Sequence, residues 1–450
     1  MITIVFYLLK VKASLGKFSF IFNFVNKIKY RPKTHRKFIM LLLFVVCFEL
    51  FFLSGWIYSP ILILSVTALE LLSTVMFSKD FDKIKNSLLT EKVNAQKLKP
   101  KVIFYFCGPK GAEYQLKMWL PYVEKLELPF IVVLRDYHHY EAVKSFTNAP
   151  VLLCNYVSEV DDIVFESVEL VLYANNSAKN TQMVRFNDLI HIQLLHGDSD
   201  KSPSYSPVSK LYDKLFVSGK AAIDRYSQHN VKIPNDSFEL IGRPQLDSLS
   251  KDNIDSKKRK TIVYAPTWRG DFSDSNYSSL YNGDQIVKSI ISAGYNVIVK
   301  LHPYTNRDVE LVKVAAKIKN IVDSVSDKSF NCEYYEYNDS SINIHDLFNR
   351  SDAIISDISS VASDYLFTEK PFAIVDVQNY ESAIYERFPL SRASYVIDAK
   401  LKNLSGIVKE LAETDSMKQL RCQLKSEYIY ERESFSQFDN FKMSILNQLK

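Results

Sequence analysis

The run TIVYAPTWRG at residues 261–270 shows in ten residues the pattern from which the fold class can be predicted. It opens with consecutive apolar and β-branched side chains and closes with polar ones. Continuous hydrophobicity, without alternation, is typical of strands that are buried on both faces of a parallel sheet. We therefore predict a buried parallel strand over 261–267, with functional side chains at its carboxyl end.

Similar short runs recur along the chain, separated by longer amphipathic stretches, which is typical of an α/β protein. The other predicted strands are 101–108, 130–136, 151–155, 170–175, 190–196, 214–219, 238–242, 296–303, 353–357 and 371–377. They predict two doubly wound, Rossmann-like domains, over 101–235 and 236–450. We expect the last helix, near 436–450, to pack back on the first domain.

The chain before these domains has a different composition. Residues 1–37 hold nine Lys or Arg and no acidic residue, and 38–78 are almost unbroken apolar sequence. One spanning helix needs roughly twenty residues, so we predict a transmembrane hairpin over 38–78 with both ends cytoplasmic. Residues 1–37 would form a basic interfacial arm, and 79–100 a linker. A re-entrant hairpin and a signal peptide are the alternatives.

Charge and cysteine usage exclude several classes of function. Beyond residue 78 the chain holds 47 basic and 49 acidic side chains, so this part of the protein is almost neutral. Nucleic-acid binding normally needs a strongly positive electrostatic field. The five cysteines are scattered and never at metal-binding spacing. We therefore expect no nucleic-acid partner, no metal site and no cofactor, although Mg²⁺ that accompanies a substrate stays compatible with the sequence.

Polar residues follow five predicted strands at their carboxyl ends, where open parallel sheets bind ligands. The five segments and their candidate residues are LLHGDSDK (His196, Gly197, Lys201), IGRPQLD (Arg243, Asp247), YAPTWRG (Thr267, Arg269), VIVKLHPY (His302) and IISDISSVASDYL (Asp357, Ser359, Ser360, Asp364).

Each residue type suits phosphate chemistry. A histidine such as His196 can accept a proton at neutral pH, and Gly197 allows close approach of a substrate. Arg243 can bind phosphate through its planar fork, and hydroxyls at a helix start form an anion site. Each cluster also has a structural interpretation, such as an Arg243–Asp247 ion pair or Ser359 as a helix cap. Five clusters at strand ends favour a shared site.

In this order, the motifs HG-x-x-x-K, GRPQ-x-D, YAPTWR, LHP and SD-x-SSVxxD resemble the CDP-glycerol:poly(glycerophosphate) glycerophosphotransferase family of teichoic-acid and capsule enzymes. The resemblance covers about residues 100–435. It implies a GT-B-like arrangement of two Rossmann-type domains, membrane association and independence of metal. The chain differs from the family pattern at Asp198, Ser199, Asp200, Ile358 and Ser363.

The resemblance implies roles for the candidate residues. The predicted catalytic residues are His196 as general base, His302 and Asp357; the donor-phosphate contacts are Arg243, Thr267, Arg269, Ser359 and Ser360; the supporting residues are Gly197, Lys201, Asp247 and Asp364.

The resulting prediction is a transferase at the cytoplasmic face of the cell membrane. It would move glycerol phosphate, or a related polyol phosphate, from a CDP-alcohol to a hydroxyl of a lipid-linked or growing cell-surface polymer, releasing CMP. A GT-B glycosyltransferase that uses a nucleotide sugar is the alternative, and a membrane-tethered binding protein without activity is another. A homo-oligomer is also compatible with the sequence.

Overall fold

The computed structural model describes residues 88–249, 259–270, 276–326, 330–337, 339 and 341–449. From Thr90 onward they belong to one compact unit. Two parallel sheets form its framework, as the continuous apolar runs predict.

The first sheet has seven strands in the order β3-β2-β1-β4-β5-β6-β7. Its strands are β1 (Val102–Phe106), β2 (Phe130–Leu134), β3 (Val151–Leu153), β4 (Leu170–Tyr173), β5 (Ile190–Gln193), β6 (Lys214–Val217) and β7 (Phe238–Leu240). Each neighbouring pair is parallel; Val102 of β1, for example, lies beside Phe130 on one side and Leu170 on the other. All carboxyl ends therefore meet at one edge of this sheet.

The second sheet has six parallel strands in the order β10-β9-β8-β11-β12-β13. Its strands are β8 (Thr261–Ala265), β9 (Asn296–Lys300), β10 (Glu333–Tyr335), β11 (Ala353–Ser356), β12 (Phe372–Val375) and β13 (Tyr395–Ile397). Strand β8 lies between β9 and β11, so the loops after these three strands are neighbours.

Helices connect the strands. They are α1 (88–98), α2 (Glu113–Lys117), α3 (Leu120–Glu124), α4 (Tyr140–Lys144), α5 (Val157–Asp161), α6 (Lys220–Gln228), α7 (Gly283–Ser292), α8 (Val309–Ser326), α9 (Ile344–Arg350), α10 (Ser360–Tyr365), α11 (Ile384–Arg387), α12 (Leu404–Lys409), α13 (Lys418–Tyr428) and α14 (Gln437–Leu446). Single turns of 3₁₀ or π helix lie at Tyr137–His139, Ala178–Gln182, Ser202–Tyr205, Pro207–Leu211, Asn235–Ser237, Pro244–Ser248, Ser279–Asn282, Thr305–Arg307, Leu366–Thr368, Glu381–Ala383, Pro389–Ala393 and Glu410–Thr414.

Strand β8 shows why its sequence is apolar at nearly every position. Ile262 and Tyr264 enter the hydrophobic core on one face of the sheet, whereas Val263 and Ala265 enter the core on the other face. Successive side chains of a strand point to opposite faces. A strand covered on both sides thus needs apolar residues throughout its length.

All eleven predicted strands are present, but one was assigned to the wrong sheet. Phe238–Leu240 was predicted to open the second domain; its hydrogen bonds place it beside β6 at the edge of the first sheet. Strands β10 and β13 were not predicted. Both are short edge strands, and the side chains of Glu333–Tyr335 are only partly buried. Helix α1 lies within the predicted linker, 79–100.

The chain returns to the first sheet after completing the second, as predicted. The Tyr430 amide donates to the Ser218 carbonyl at 2.7 Å, and α14 then packs its Phe441 ring against Trp119 (5.4 Å) and Phe216 (6.3 Å). Gly242, at φ +68°, faces the Gln437 amide so closely that a Cβ atom would overlap its oxygen. Helix α14 therefore closes the side of the first domain.

The predicted basic arm over 1–37 and the predicted hairpin over 38–78 lie outside the described residues. Within the ranges given above, the structure contains no helix with the length and apolarity needed to cross a membrane.

Candidate active site

The carboxyl ends of the two sheets face each other, and the turn after β5 meets the start of α10. At Gly197 a Cβ atom would lie 2.7 Å from the Ser360 Cβ and 2.5 Å from its Oγ. Real Cβ atoms do not approach so closely, so a glycine is required. The first and fifth predicted clusters are thus brought into direct contact.

His196 is held in one defined tautomer. Its Nδ1 lies 3.2 Å from the Ala174 carbonyl oxygen, which can only accept, so Nδ1 carries the proton. Burial, together with the nearby charge of Arg243, lowers the pKa of His196 to about 4, although the hydrogen bond to the Ala174 carbonyl opposes the shift. The ring is therefore neutral at pH 7, and its Nε2 has a lone pair that can accept a proton.

The backbone before His196 is strained. Leu195 has φ +52°, a conformation that non-glycine residues rarely adopt. Two contacts hold it: the Trp119 indole donates to the Leu195 carbonyl at 2.6 Å, and the Leu195 amide donates to the Gln193 side chain at 3.1 Å. Strain of this kind persists where the surroundings fix it, and here it aims His196 at the cleft.

His302, after β9, has the opposite tautomer. The Tyr304 amide donates to its Nδ1 at 3.0 Å, so in the neutral ring the proton lies on Nε2. Burial, and after it the charges of Lys201, His196 and Arg307, lower the pKa of His302 to about 3. At neutral pH, His302 is a hydrogen-bond donor at Nε2 and His196 is an acceptor.

Tyr114, which sequence reasoning missed, lies between the two histidines. Its ring contacts His196 edge-on at 5.8 Å between centroids, and contacts His302 at 5.9 Å. Tyr114 belongs to α2, after the segment GPKG that follows β1. Strand β1 was predicted, so examining its carboxyl end as well would have identified this residue.

Lys201 joins the first domain to the loop after β8. Its Nζ donates to the Thr267 hydroxyl at 3.2 Å and lies 5.0 Å from the Tyr277 ring centroid. Burial lowers the pKa of Lys201 to about 8, and the Asp357 carboxylate opposes this shift. A partly desolvated ammonium group that has no carboxylate within ion-pair distance among the described residues is well suited to bind a phosphate.

Asp357 supports the loops and does not itself reach the cleft. It is fully buried, and its two oxygens accept from the amides of Thr267 (2.7 Å) and Ser279 (3.2 Å). Burial raises the pKa of Asp357, whereas these hydrogen bonds lower it. The residue predicted as catalytic therefore orients the loop that carries Thr267.

Arg243 and Asp247 have partners that the sequence did not predict. Arg243 binds Asp364 with two hydrogen bonds of 3.1 Å each, so the alternative of an Arg243–Asp247 ion pair is wrong. Asp247 accepts the amides of Gln437 and Phe438, both at 2.8 Å, and so supports the start of α14. Asp364 thus fixes the position of Arg243, and Asp247 fixes the position of the C-terminal helix.

Ser359 occupies the cap position of α10, but its hydroxyl makes no capping hydrogen bond. It lies instead 3.2 Å from the Ser356 Oγ. Free amides at a helix start favour an anion. The remaining candidate, Arg269, is half-exposed, with its Nε 3.4 Å from an Asp308 carboxylate oxygen.

Two of the residues that differ from the family pattern, Asp198 and Asp200, belong to a buried ionic network beside the site. Arg225 pairs with Asp198 and with Asp200, the latter at 3.0 Å. Asp200 also accepts from the Tyr428 hydroxyl and the Leu390 amide, each at 2.9 Å. Asp200 therefore links the first domain to the second, and Arg225 is the cation that both carboxylates share.

We expect Arg225→Ala to lower the free energy of unfolding by about 3–5 kcal/mol, because two carboxylates would be left buried without their cation. Thermal unfolding of the full chain should show a melting temperature lower by on the order of 10 °C. Arg185→Ala is the control, since Arg185 pairs with Asp161 in an exposed ion pair that contributes about 0–1 kcal/mol. Equal melting temperatures for the two variants would contradict the expectation.

Among the described residues, no group of three or more His, Cys, Asp or Glu side chains is placed to hold a metal ion. The described cysteines Cys107, Cys154 and Cys332 are buried as free thiols, and Cys422 is exposed.

The sequence profile of the CDP-Glycerol:Poly(glycerophosphate) glycerophosphotransferase family matches residues 162–444, which contain all five clusters. The chain belongs to this family. It is therefore a member of a family of transferases.

Curated relatives support this membership. The chain is 26% identical over 181 residues to a teichoic acid glycerol-phosphate primase of Bacillus spizizenii, covering 38% of this chain and 42% of the relative. It is 29% identical over 198 residues to a teichoic acid poly(glycerol phosphate) polymerase of Staphylococcus epidermidis, covering 43% and 24%. The matches thus span half or less of these relatives' length.

Among solved structures, a UDP-N-acetylglucosamine 2-epimerase aligns with a TM-score of 0.50 at 12% identity, covering 78% of this chain and 95% of that chain. This likeness shows the two-sheet fold alone. The wall teichoic acid polymerase TagF aligns with a TM-score of 0.47 at 17% identity, covering 83% and 96%.

Proposed function

We propose that the protein transfers glycerol phosphate, or a closely related polyol phosphate, from a CDP-alcohol to a hydroxyl of a cell-surface polymer. The observation that carries this proposal is the pair of histidines from opposite domains, both neutral and held in opposite tautomers. One can take a proton while the other donates a hydrogen bond. Membership of the family supplies the class of donor and acceptor.

In the proposed reaction the acceptor hydroxyl gives its proton to His196 Nε2 as its oxygen attacks the phosphorus that bears the polyol. A bond forms between the acceptor oxygen and this phosphorus. The bond from the phosphorus to the bridging oxygen breaks, and CMP leaves with that oxygen and the electron pair. General-base assistance of this kind contributes about 10²–10⁴-fold to the rate.

Groups of the second domain, together with Lys201 of the first, would stabilise the charge that develops on the phosphoryl oxygens. His302 offers Nε2–H, Lys201 offers its ammonium group, and the start of α10 at Ser359 and Ser360 offers hydroxyls and amides. The Thr267 hydroxyl holds Lys201 in place, and Asp357 in turn holds the loop that carries Thr267. Arg243 stays a proposed phosphate contact, although its guanidinium is buried and already donates two hydrogen bonds to Asp364.

Attachment to the membrane belongs to the same proposal. The apolar run over 38–78 and the basic arm before it would hold the site at the cytoplasmic face, close to a lipid-linked acceptor. Protease digestion of sealed, right-side-out vesicles should leave tags at both ends of the chain intact. Digestion of the N-terminal tag from outside would contradict a hairpin with both ends inside.

The function is tested by incubating the full chain in membranes with a panel of CDP-glycerol, CDP-ribitol and nucleotide sugars. The expected result is release of CMP, with polyol phosphate incorporated into polymer. Incorporation of a sugar, with the nucleoside diphosphate leaving intact, would instead identify a glycosyltransferase.

We expect the loss of activity at alkaline pH to reflect deprotonation of Lys201. Its charge is present below its pKa of about 8 and is lost as pH rises through that value. We therefore expect kcat/KM to fall above pH 8. Lys201→Arg should move this fall to higher pH, because an arginine stays charged. An unchanged alkaline limb in this variant would exclude Lys201 as the titrating group.

A further inference from the structure

Three residues beside His302 form a cluster that the proposed chemistry does not use: Arg307 is exposed, Trp268 is half-buried and Tyr304 is buried. The guanidinium carbon of Arg307 lies 3.6 Å from the Tyr304 ring centroid and 5.4 Å from the Trp268 ring centroid. The two rings meet edge-on at 5.1 Å. We call Trp268, Tyr304 and Arg307 the aromatic–arginine platform.

The platform lies where the two domains meet. Trp268 stacks beside His302 at 6.2 Å, and Tyr304 contacts the Tyr114 ring of the first domain at 5.9 Å. An Arg307 Nη2 hydrogen donates to the Lys110 carbonyl oxygen, also in the first domain, at 3.5 Å. A molecule bound on the platform would therefore contact both walls of the cleft beside the reacting groups.

The positive charge of the platform is not neutralised by a neighbouring carboxylate. In the part of the chain that the structure describes, no ion pair involves Arg307, and its side chain is exposed. The adjacent Asp308 is already engaged by Arg269, by the Tyr281 hydroxyl at 3.0 Å and by the Glu310 amide at 2.8 Å. A guanidinium that stacks on aromatic rings keeps its N–H edge available for an oxyanion.

We propose that the platform binds a phosphodiester of the growing polymer acceptor, one unit behind the hydroxyl that reacts. Arg307 would bind the phosphate, and the half-buried Trp268 ring would pack against the polyol carbons. The buried Tyr304 ring supports the guanidinium from below. This inference rests on the proposed function and names the acceptor subsite within it. An acceptor is favoured over the donor because Arg307 reaches toward the domain that carries His196, whereas the donor phosphates are assigned to Ser359 and Ser360.

The kinetic test compares two acceptors in membranes, a primer without phosphodiester units and the same primer carrying one or more. In Arg307→Gln, kcat/KM for the phosphodiester-bearing acceptor should fall about tenfold, the effect of losing one charged hydrogen bond. The values for the bare primer and the KM for CDP-glycerol should not change. Arg392→Gln is the control, because Arg392 is an exposed arginine bonded to the Tyr385 carbonyl.

A rise in the KM for CDP-glycerol would assign the platform to the donor and overturn the inference. Equal losses with both acceptors would overturn it as well, since the platform would then not recognise the phosphodiester.

A direct binding test does not depend on turnover. Soluble oligo(glycerol phosphate) should change the fluorescence of Trp268 in the full chain, with the signal identified by its loss in Trp268→Phe. Neutral oligoglycerol should give no change, and Arg307→Gln should weaken binding about tenfold. If the wild type releases no CMP from any donor, the proposed function is contradicted. The binding measurement still shows whether the platform binds a phosphodiester. Equal binding of the charged and neutral oligomers would reject it.

Discussion

Replacing His196 by asparagine is expected to lower kcat for CMP release by about 10²–10⁴-fold, the usual contribution of a general base. An asparagine can still donate to the Ala174 carbonyl but cannot accept a proton from the acceptor hydroxyl. The KM for the CDP-alcohol should change little, because the donor contacts are assigned to His302, Lys201 and the start of α10, which the substitution leaves in place. Initial rates with radiolabelled donor measure both quantities.

His229→Gln is the matched control for this prediction. His229 stacks on Tyr205 at 3.8 Å, outside the cleft, so its loss should leave kcat unchanged. Both variants should melt within a few degrees of the wild type. Full activity in His196→Asn would remove His196 from the mechanism. Because the pKa of His196 is about 4, the wild type should not lose its base until the pH falls toward that value.

Gly197→Ala is expected to lower kcat/KM by about 10²-fold, because an added methyl group forces the turn after β5 away from Ser360. A displacement of about 1 Å at reacting groups has effects of this size. The same strain should lower the melting temperature. Circular dichroism and the CMP assay together measure both effects.

The double variant Gly197→Ala with Ser360→Gly separates steric strain from other causes. Removal of the Ser360 side chain eliminates the atoms that the new methyl group would meet, so the melting temperature should return toward the wild-type value. Activity should recover only in part, since the Ser360 hydroxyl is also lost. If the double variant melts no higher than Gly197→Ala, the close approach of these residues is not the cause.

The strands could be predicted because their signal is local. A run such as TIVYAPT must be apolar on both faces when helices cover both sides of the sheet, and the residues themselves show this. The sheet to which a strand belongs is not a local property. The residues FELIG contain no signal that this strand pairs with β6, so Phe238–Leu240 was assigned to the wrong domain.

The residues of the site could be predicted, but not how they are held. The strand-end rule brought His196, Lys201, Thr267 and His302 together from three segments. The tautomer of His196 depends on Ala174, which directly follows a different strand, so only the folded chain can fix it. For the same reason the partner of Arg243 was misjudged, since Asp364 comes from a helix of the other domain.

The return of α14 to the first domain affects the order in which the protein can mature on the ribosome. Strand β7 completes the first sheet at Leu240, but the helix that covers Trp119 and Phe216 begins only at Gln437, roughly two hundred residues later. At about 5–20 residues per second, translation needs on the order of 10–40 s to produce it. During that interval these rings form an apolar surface on the nascent chain, which makes them a natural contact for chaperones and a point where stalled synthesis leads to aggregation.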